Sequence, residues 1–239
     1  MRSGIRISQR YNSRNIEDIR GKKFDLLICA GARGSRRLAV MDPAQDWSEI
    51  ERLMECLRTT EAERFVLIST VEIYNYHNEV DEDFQVDAQE LPSYALHRYQ
   101  LEIFCKKTFN CHIIRLPIIF GIGLKKNIVF DLLNGQYNFT NRDDIYQFYD
   151  LNHIWQDILK TISLNLPLVN LFSEPIHVSS IASEIFNVKL SNTSEPLRQF
   201  DIHCKYWRRW GNTENYLYST SSIYSSLSEF VKMEKRLFS

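Results

Sequence analysis

Arg64-Phe65-Val66-Leu67-Ile68-Ser69-Thr70 is a short, β-branched apolar run that stops on two hydroxyls, the pattern of a buried strand that delivers a polar side chain to the edge of a sheet. Upstream, Phe24-Asp25-Leu26-Leu27-Ile28-Cys29-Ala30-Gly31-Ala32 is a second apolar run, closed by small residues. Continuous apolar character is expected of a strand covered by helices on both faces, so this strand is predicted to sit centrally in a parallel sheet. Between the two, Asp42-Pro43 opens a helix as N-cap and first helical residue, with Trp47, Ile50, Leu53, Met54 and Leu57 as its apolar face. A helix from Tyr94, with Tyr99, Ile103 and Phe104 as core contacts, precedes a third strand over Cys111-His112-Ile113-Ile114-Arg115-Leu116-Pro117. Strand, helix, strand, helix, strand implies right-handed crossovers and a parallel α/β sheet whose ligands bind beyond the carboxyl ends of its strands.

The flanking segments are read more coarsely. Gly4 to Ser8 is a candidate strand and Asn15 to Arg20 a short helix before a turn at Gly21. Later come a strand around Tyr146 to Tyr149, a helix from Asn152 to Ile162, a strand at Val169 to Phe172, and Pro175 to Val178 leading into a helix from Ser179 to Phe186. A last helix is expected around Ser226 to Leu237. No internal repeat or low-complexity linker interrupts the chain.

Polar residues gather at the predicted strand ends: Gly31, then Ser69 and Thr70, then the Pro117 to Gly123 loop. In Tyr94-Ala95-Leu96-His97-Arg98 the four-residue spacing places a phenol and a guanidinium on one helical face. A phenol titrates near pH 10, so proton exchange at neutral pH needs a cation to favour phenolate, and Arg98 is placed to supply it. The alternative is a Tyr and an Arg stacked as a cation–π pair with no chemical role.

The 239 residues are 44% apolar and 25% charged with a formal charge of −1, ordinary for one globular core or two joined lobes and too balanced for a general pull toward nucleic acid or membrane. Cys29, Cys56, Cys105, Cys111 and Cys204 include no C-x-x-C pair, and reduced, mostly buried thiols are expected. No stretch has the length to span a bilayer and the first residues lack a signal-peptide core, so a cytoplasmic location is expected. His97, His112, His153 and His177 show no metal-ligand spacing, and no metal site is predicted. Lys205-Tyr206-Trp207-Arg208-Arg209-Trp210 interleaves bases and aromatics as a single-strand nucleic-acid surface does, or as a helix packing its tryptophans inward does; nucleic acid is not the expected partner. Lys125-Lys126-Asn127 either meets a substrate phosphate or is a solvated turn.

Taken in order, Asp25-Leu-Leu-Ile-Cys-Ala-Gly-Ala32, Arg64-Phe-Val-Leu-Ile-Ser-Thr-Val-Glu-Ile-Tyr74, Tyr94-Ala-Leu-His-Arg98, Arg115-Leu-Pro-Ile-Ile-Phe-Gly-Ile-Gly123, Gln147-Phe-Tyr-Asp-Leu-Asn-His-Ile154 and Glu174-Pro-Ile-His-Val178 resemble the extended short-chain dehydrogenase/reductases, the NAD-dependent epimerase/dehydratase family acting on nucleotide sugars. The resemblance implies Thr70 as a substrate-orienting hydroxyl, Tyr94 as general acid/base, and Arg98 in the place of a lysine that holds the nicotinamide ribose. It also places Ala30, Gly31, Ala32, Ser69, Leu116 and Pro117 along an NAD or NADP molecule, with Gly121 and Gly123 beside the substrate. A dimer through the helix from Tyr94 to Phe104 is a further implication.

Three departures go with it. Arginine replaces lysine at position 98, and a planar fork is not interchangeable with an ammonium. Ile118 stands where many members have a substrate-binding asparagine. The family's opening strand, glycine-rich loop and helix, which hold the pyrophosphate, are not found: the eight glycines form no G-x-G-x-x-G, and Gly31-Ala32-Arg33-Gly34 with Arg36 and Arg37 offers half such a loop or a plain polar turn.

The fold expected is thus an α/β, Rossmann-like parallel sheet, N-terminally truncated, over residues 1–165, with a small C-terminal substrate lobe over residues 166–239. Either the reading frame starts late or the form is truncated, and Gly4 to Ser8 or another chain is expected to cover the exposed sheet edge. The expected function is an NAD(P)-dependent oxidoreductase or epimerase on a nucleotide sugar or related carbohydrate. The alternative is a non-catalytic dinucleotide- or sugar-binding pseudoenzyme in a hetero-complex.

Overall fold

The computed structural model describes residues 7–210 and 214–237. Its elements in chain order are β1 (Lys23–Cys29), α1 (Arg36–Met41), α2 (Pro43–Arg58), β2 (Glu61–Thr70), β3 (Asn78–Val80), α3 (Ser93–Thr108), β4 (Cys111–Leu116), β5 (Ile118–Phe120) and α4 (Ile128–Leu133). There follow β6 (Ile145–Tyr146), β7 (Phe148–Asp150), α5 (Ile154–Ser163), β8 (Leu168–Asn170), β9 (Ile176–His177), α6 (Val178–Glu184), β10 (Asp201–Ile202), α7 (Trp207–Trp210) and α8 (Thr220–Leu237). The central sheet has the order β1-β2-β4-β8, with β1 parallel to β2 and β4 parallel to β8. It is the Rossmann-like α/β architecture that the alternation of apolar runs and amphipathic helices implies.

Contacts divide the chain into two units, residues 1–68 with 88–111, and residues 69–87 with 112–239. The Ser69 to Asp87 excursion belongs to the second unit, where β3 pairs with β10.

In the first unit, α2 starts as the sequence predicts: Asp42 accepts a hydrogen bond from the backbone N–H of Gln45, and Pro43 takes the first turn, where no N–H is needed. Its buried stripe is Asp46, Ile50, Leu53, Met54, Cys56 and Leu57. On α3 the buried residues are Tyr94, Ala95, His97, Arg98, Leu101, Glu102 and Cys105, whereas Tyr99, Ile103 and Phe104 are half-buried. The helix is therefore rotated from the face its aromatic residues suggest, and it turns its polar pair inward. Phe65 of β2 stacks on Phe109 with centroids 4.2 Å apart.

β1 does not sit centrally: among the described residues it ends the sheet order, with β2 its sheet neighbour, and its burial is partial, Ile28 being 37% exposed. An apolar run reports that a strand has faces to cover, not that a further strand lies beside it. The predicted strand from Gly4 to Ser8 lies outside the described residues up to Arg6, and Ile7 and Ser8 are irregular.

The second unit is built on a core that includes Tyr74, Phe120, Phe148, Phe172, Ile202, Leu227 and Phe230. β5 pairs in parallel with β7, so the segment after Pro117 is a short strand before it is a loop. Gly121 then turns at φ 153°, where a Cβ would lie 3.0 Å from the Leu151 Cβ. Gln147 breaks the expected strand into β6 and β7; its amide donates to the Ser173 and Ile202 carbonyls and accepts from the Ile202 N–H. The five cysteines are free, and all but Cys111 are buried.

Candidate active site

Tyr94 and Arg98 are brought together on the buried face of α3. The Arg98 guanidinium carbon lies 4.2 Å from the centroid of the Tyr94 ring, and Arg98 and Tyr94 are 4% and 8% exposed, respectively. A guanidinium on the ring face is held by the negative π-cloud and by the i, i+4 geometry that stacks long side chains on a helix.

Asp46 on α2 completes the arrangement. Its carboxylate accepts from both terminal nitrogens of Arg98, one of them at 2.9 Å, and its Oδ2 lies 2.7 Å from Nδ1 of His97. This is a bidentate fork, the geometry that fixes both distance and plane. Arg98 also donates to the carbonyl oxygen of Arg33, which ties α3 to the loop after β1. The ring of Trp47 lies 5.3 Å from that of His97. Burial alone would raise the Asp46 carboxyl, but the hydrogen bonds from Arg98 and then His97 bring it below its usual range. The Nε of Arg98 is buried without a hydrogen-bond partner.

Ala30 and Gly31 are exposed at the end of β1 and Ala32 is half-buried. A Cβ on Gly31 would meet Leu53 Cδ2 at 3.3 Å, so the chain passes α2 more closely there than a side chain comfortably allows. Arg36 and Arg37 begin α1, whose N-cap Ser35 accepts from the Leu38 N–H, and both arginines are exposed.

In the second unit, Ser69 and Thr70 end β2. The Thr70 hydroxyl accepts from the Glu72 N–H at 3.3 Å, while the Ser69 hydroxyl is buried without a hydrogen-bond partner. Leu116 is buried at the end of β4 and Pro117 is half-buried after it. Asn127 caps α4 by accepting from the N–H groups of Val129 and Phe130, beside exposed Lys125 and Lys126. The basic aromatic run is in part a packing element: Trp210 Nε1 donates to Asp157 at 3.0 Å and Lys160 lies over its ring.

Sequence reasoning does not reach Asp46 and His97 as site residues. A signal for the first is present all the same: Asp46 lies four residues before Ile50 on the apolar stripe of α2, and a carboxylate there requires a buried partner.

No family model matches the sequence, and no curated protein matches it. Solved structures do. MoeE5, crystallised with UDP-glucose and NAD, superimposes with a TM-score of 0.75 at 13% identity over 97% of this chain and 86% of its own. The chain has the fold of the nucleotide-sugar epimerases. UDP-glucose 4-epimerase of Thermotoga maritima, solved with UDP-glucose, gives 0.65 at 13% identity over 90% of this chain and 78% of its own. A dTDP-4-dehydrorhamnose reductase from Clostridium acetobutylicum gives 0.68 at 17% identity over 88% and 81%. At these identities the likeness is one of fold. Among the described residues, no helix is long and apolar enough to cross a membrane.

Proposed function

We propose that this protein is an NAD(P)-dependent oxidoreductase or epimerase acting on a nucleotide sugar, with Tyr94 exchanging the proton of a sugar hydroxyl. The observation that carries the reading is the buried Tyr94–Arg98 pair on α3, in a chain whose fold is that of MoeE5, itself crystallised with UDP-glucose and NAD.

The donor set near Tyr94 fits a dinucleotide in one respect: the buried Arg98 Nε has no partner, the kind of orphaned donor that a ligand oxygen satisfies. Ala30, Gly31, Ala32, Ser69, Leu116 and Pro117 would line the dinucleotide, and Tyr94 and Arg98 would meet its ribose. When bound, NAD(P) supplies hydride exchange at a sugar carbon. The chain's own part is the proton: Tyr94 as phenolate takes it from the hydroxyl oxygen, and as phenol returns it. Thr70 is proposed to orient that hydroxyl. UDP-glucose and UDP-glucuronic acid, the sugars bound to MoeE5, are the first substrates to try.

A second reading, a non-catalytic dinucleotide- or sugar-binding protein, is favoured by one observation. Asp46 already neutralises Arg98, so the cation that would favour phenolate is compensated.

Calorimetric titration with NAD, NADP and both UDP-sugars, followed by turnover assays, separates the two readings. Binding with turnover that Tyr94→Phe abolishes supports the enzyme; binding without turnover supports the second reading. Turnover unchanged in Tyr94→Phe refutes the role given to Tyr94.

A further inference from the structure

The charge on Arg98 is not free to act on Tyr94 alone. Its guanidinium is shared between the Asp46 carboxylate, the Arg33 carbonyl and the face of the Tyr94 ring. A bidentate fork orients the guanidinium plane as well as its centre, so Asp46 determines which face of Arg98 meets the phenol. Asp46 is 7% exposed and Arg98 4%, so the carboxylate's field is little screened by water. Around this pair, His97 adds a second contact to Asp46 from α3, and Arg33 and Glu49 form their own ion pair at 2.8 Å.

We propose that Asp46 is a positioning residue: by pinning and neutralising Arg98 it sets the proton affinity of Tyr94, making the α2 carboxylate the element that tunes the acid/base group on α3. The inference rests on the reading of Tyr94 as a proton-exchanging group. It deepens that reading, since a planar guanidinium matches a carboxylate fork in two bonds. With the pair intact, the Arg98 charge on the Tyr94 ring is offset by Asp46. With Asp46 neutral, the phenol faces a whole cation, and phenolate becomes more favourable.

The test reads the phenol directly, without ligand or turnover. Wild type, Asp46→Asn, Arg98→Gln and the double variant are labelled with tyrosine carrying carbon-13 at the phenol carbon. The Tyr94 resonance is assigned by its loss in Tyr94→Phe, and its ionised-to-neutral ratio is followed by NMR below pH 10. Asp46→Asn is expected to raise that ratio about tenfold at fixed pH, the size of shift one neighbouring charge produces. Arg98→Gln is expected to lower it, and the double variant to return to within about twofold of wild type, since both carry no net charge at the pair. Should Asp46→Asn fail to fold, Arg98→Gln against the double variant carries the test, because Asp46 without its partner must depress the ratio. A merely structural Asp46 would move the unfolding midpoint and leave the ratio alone; equal ratios in all folded variants overturn the proposal. Because neither cofactor nor sugar is present, this outcome is independent of whether the protein proves to be an enzyme.

Discussion

Removing the Asp157 carboxylate should produce one of the larger single-residue losses of stability in the second unit. Asp157 is 5% exposed on α5 and accepts hydrogen bonds from Tyr149 Oη at 2.6 Å, from Tyr218 Oη, and from Trp210 Nε1 at 3.0 Å. Asp157→Ala takes that acceptor from the phenols of the wholly buried Tyr149 and the half-buried Tyr218, which keep only their hydrogen bond to each other, so one donor is left unpaired at about 1–3 kcal/mol. The Trp210 indole is half-buried and can turn to water, so its share is small. The expected loss is therefore about 2–4 kcal/mol, read from urea unfolding at pH 7 as a lower midpoint with unchanged slope. Tyr149→Phe should cost less, roughly 1–2 kcal/mol, because Asp157 keeps its two other donors and no buried charge is left bare. If Asp157→Ala costs under about 1 kcal/mol, as an exposed pair would, the carboxylate is not the hub of a buried network and the reasoning fails.

Two further outcomes follow from the same physics. Burial pushes the Tyr74 and Tyr146 phenols up to about 12; a raised folded value means full stability below about pH 10 and progressive loss as pH rises toward 12, on the order of 2–3 kcal/mol per phenol at the upper end. Equilibrium unfolding measured between pH 9 and 11.5 should show that decline, and a flat profile would contradict the burial of these hydroxyls. Gly121→Ala places a Cβ 3.0 Å from Leu151 in a left-handed backbone at φ 153°. The expected cost is about 1–3 kcal/mol, read from the same urea unfolding, with Gly123→Ala, which meets nothing within 4 Å, as the control for backbone strain alone.

The residues that make strands and helices are legible in the sequence because the forces that select them are local. Asp42-Pro43 caps α2 through bonds within four residues, and the apolar runs at β1, β2 and β4 are the strands observed. Their parallel arrangement follows from the alternation with helices, since parallel strands need a crossover between them. The spacing of Tyr94 and Arg98 likewise puts them on one face, because four residues are close to one helical turn.

What surrounds that face is decided only by the tertiary structure. Asp46 and Arg98 are 52 positions apart, and no periodicity links them; the carboxylate on an apolar stripe announces a buried partner but not which one. Whether the Arg98 cation beside Tyr94 is free or compensated therefore depends on the packing of α2 against α3, a contact whose identity only the folded chain supplies. The edge position of β1 is hidden for the same reason, because an apolar run records the environment of a strand's faces and is silent about its hydrogen-bonding neighbours. Asp157 reads in sequence as one acid on an amphipathic helix, and it takes the folded chain to bring Tyr149, Trp210 and Tyr218 to it. Local hydrogen bonding and burial periodicity are written along the chain, whereas the pairing of buried charges is fixed by where distant segments meet.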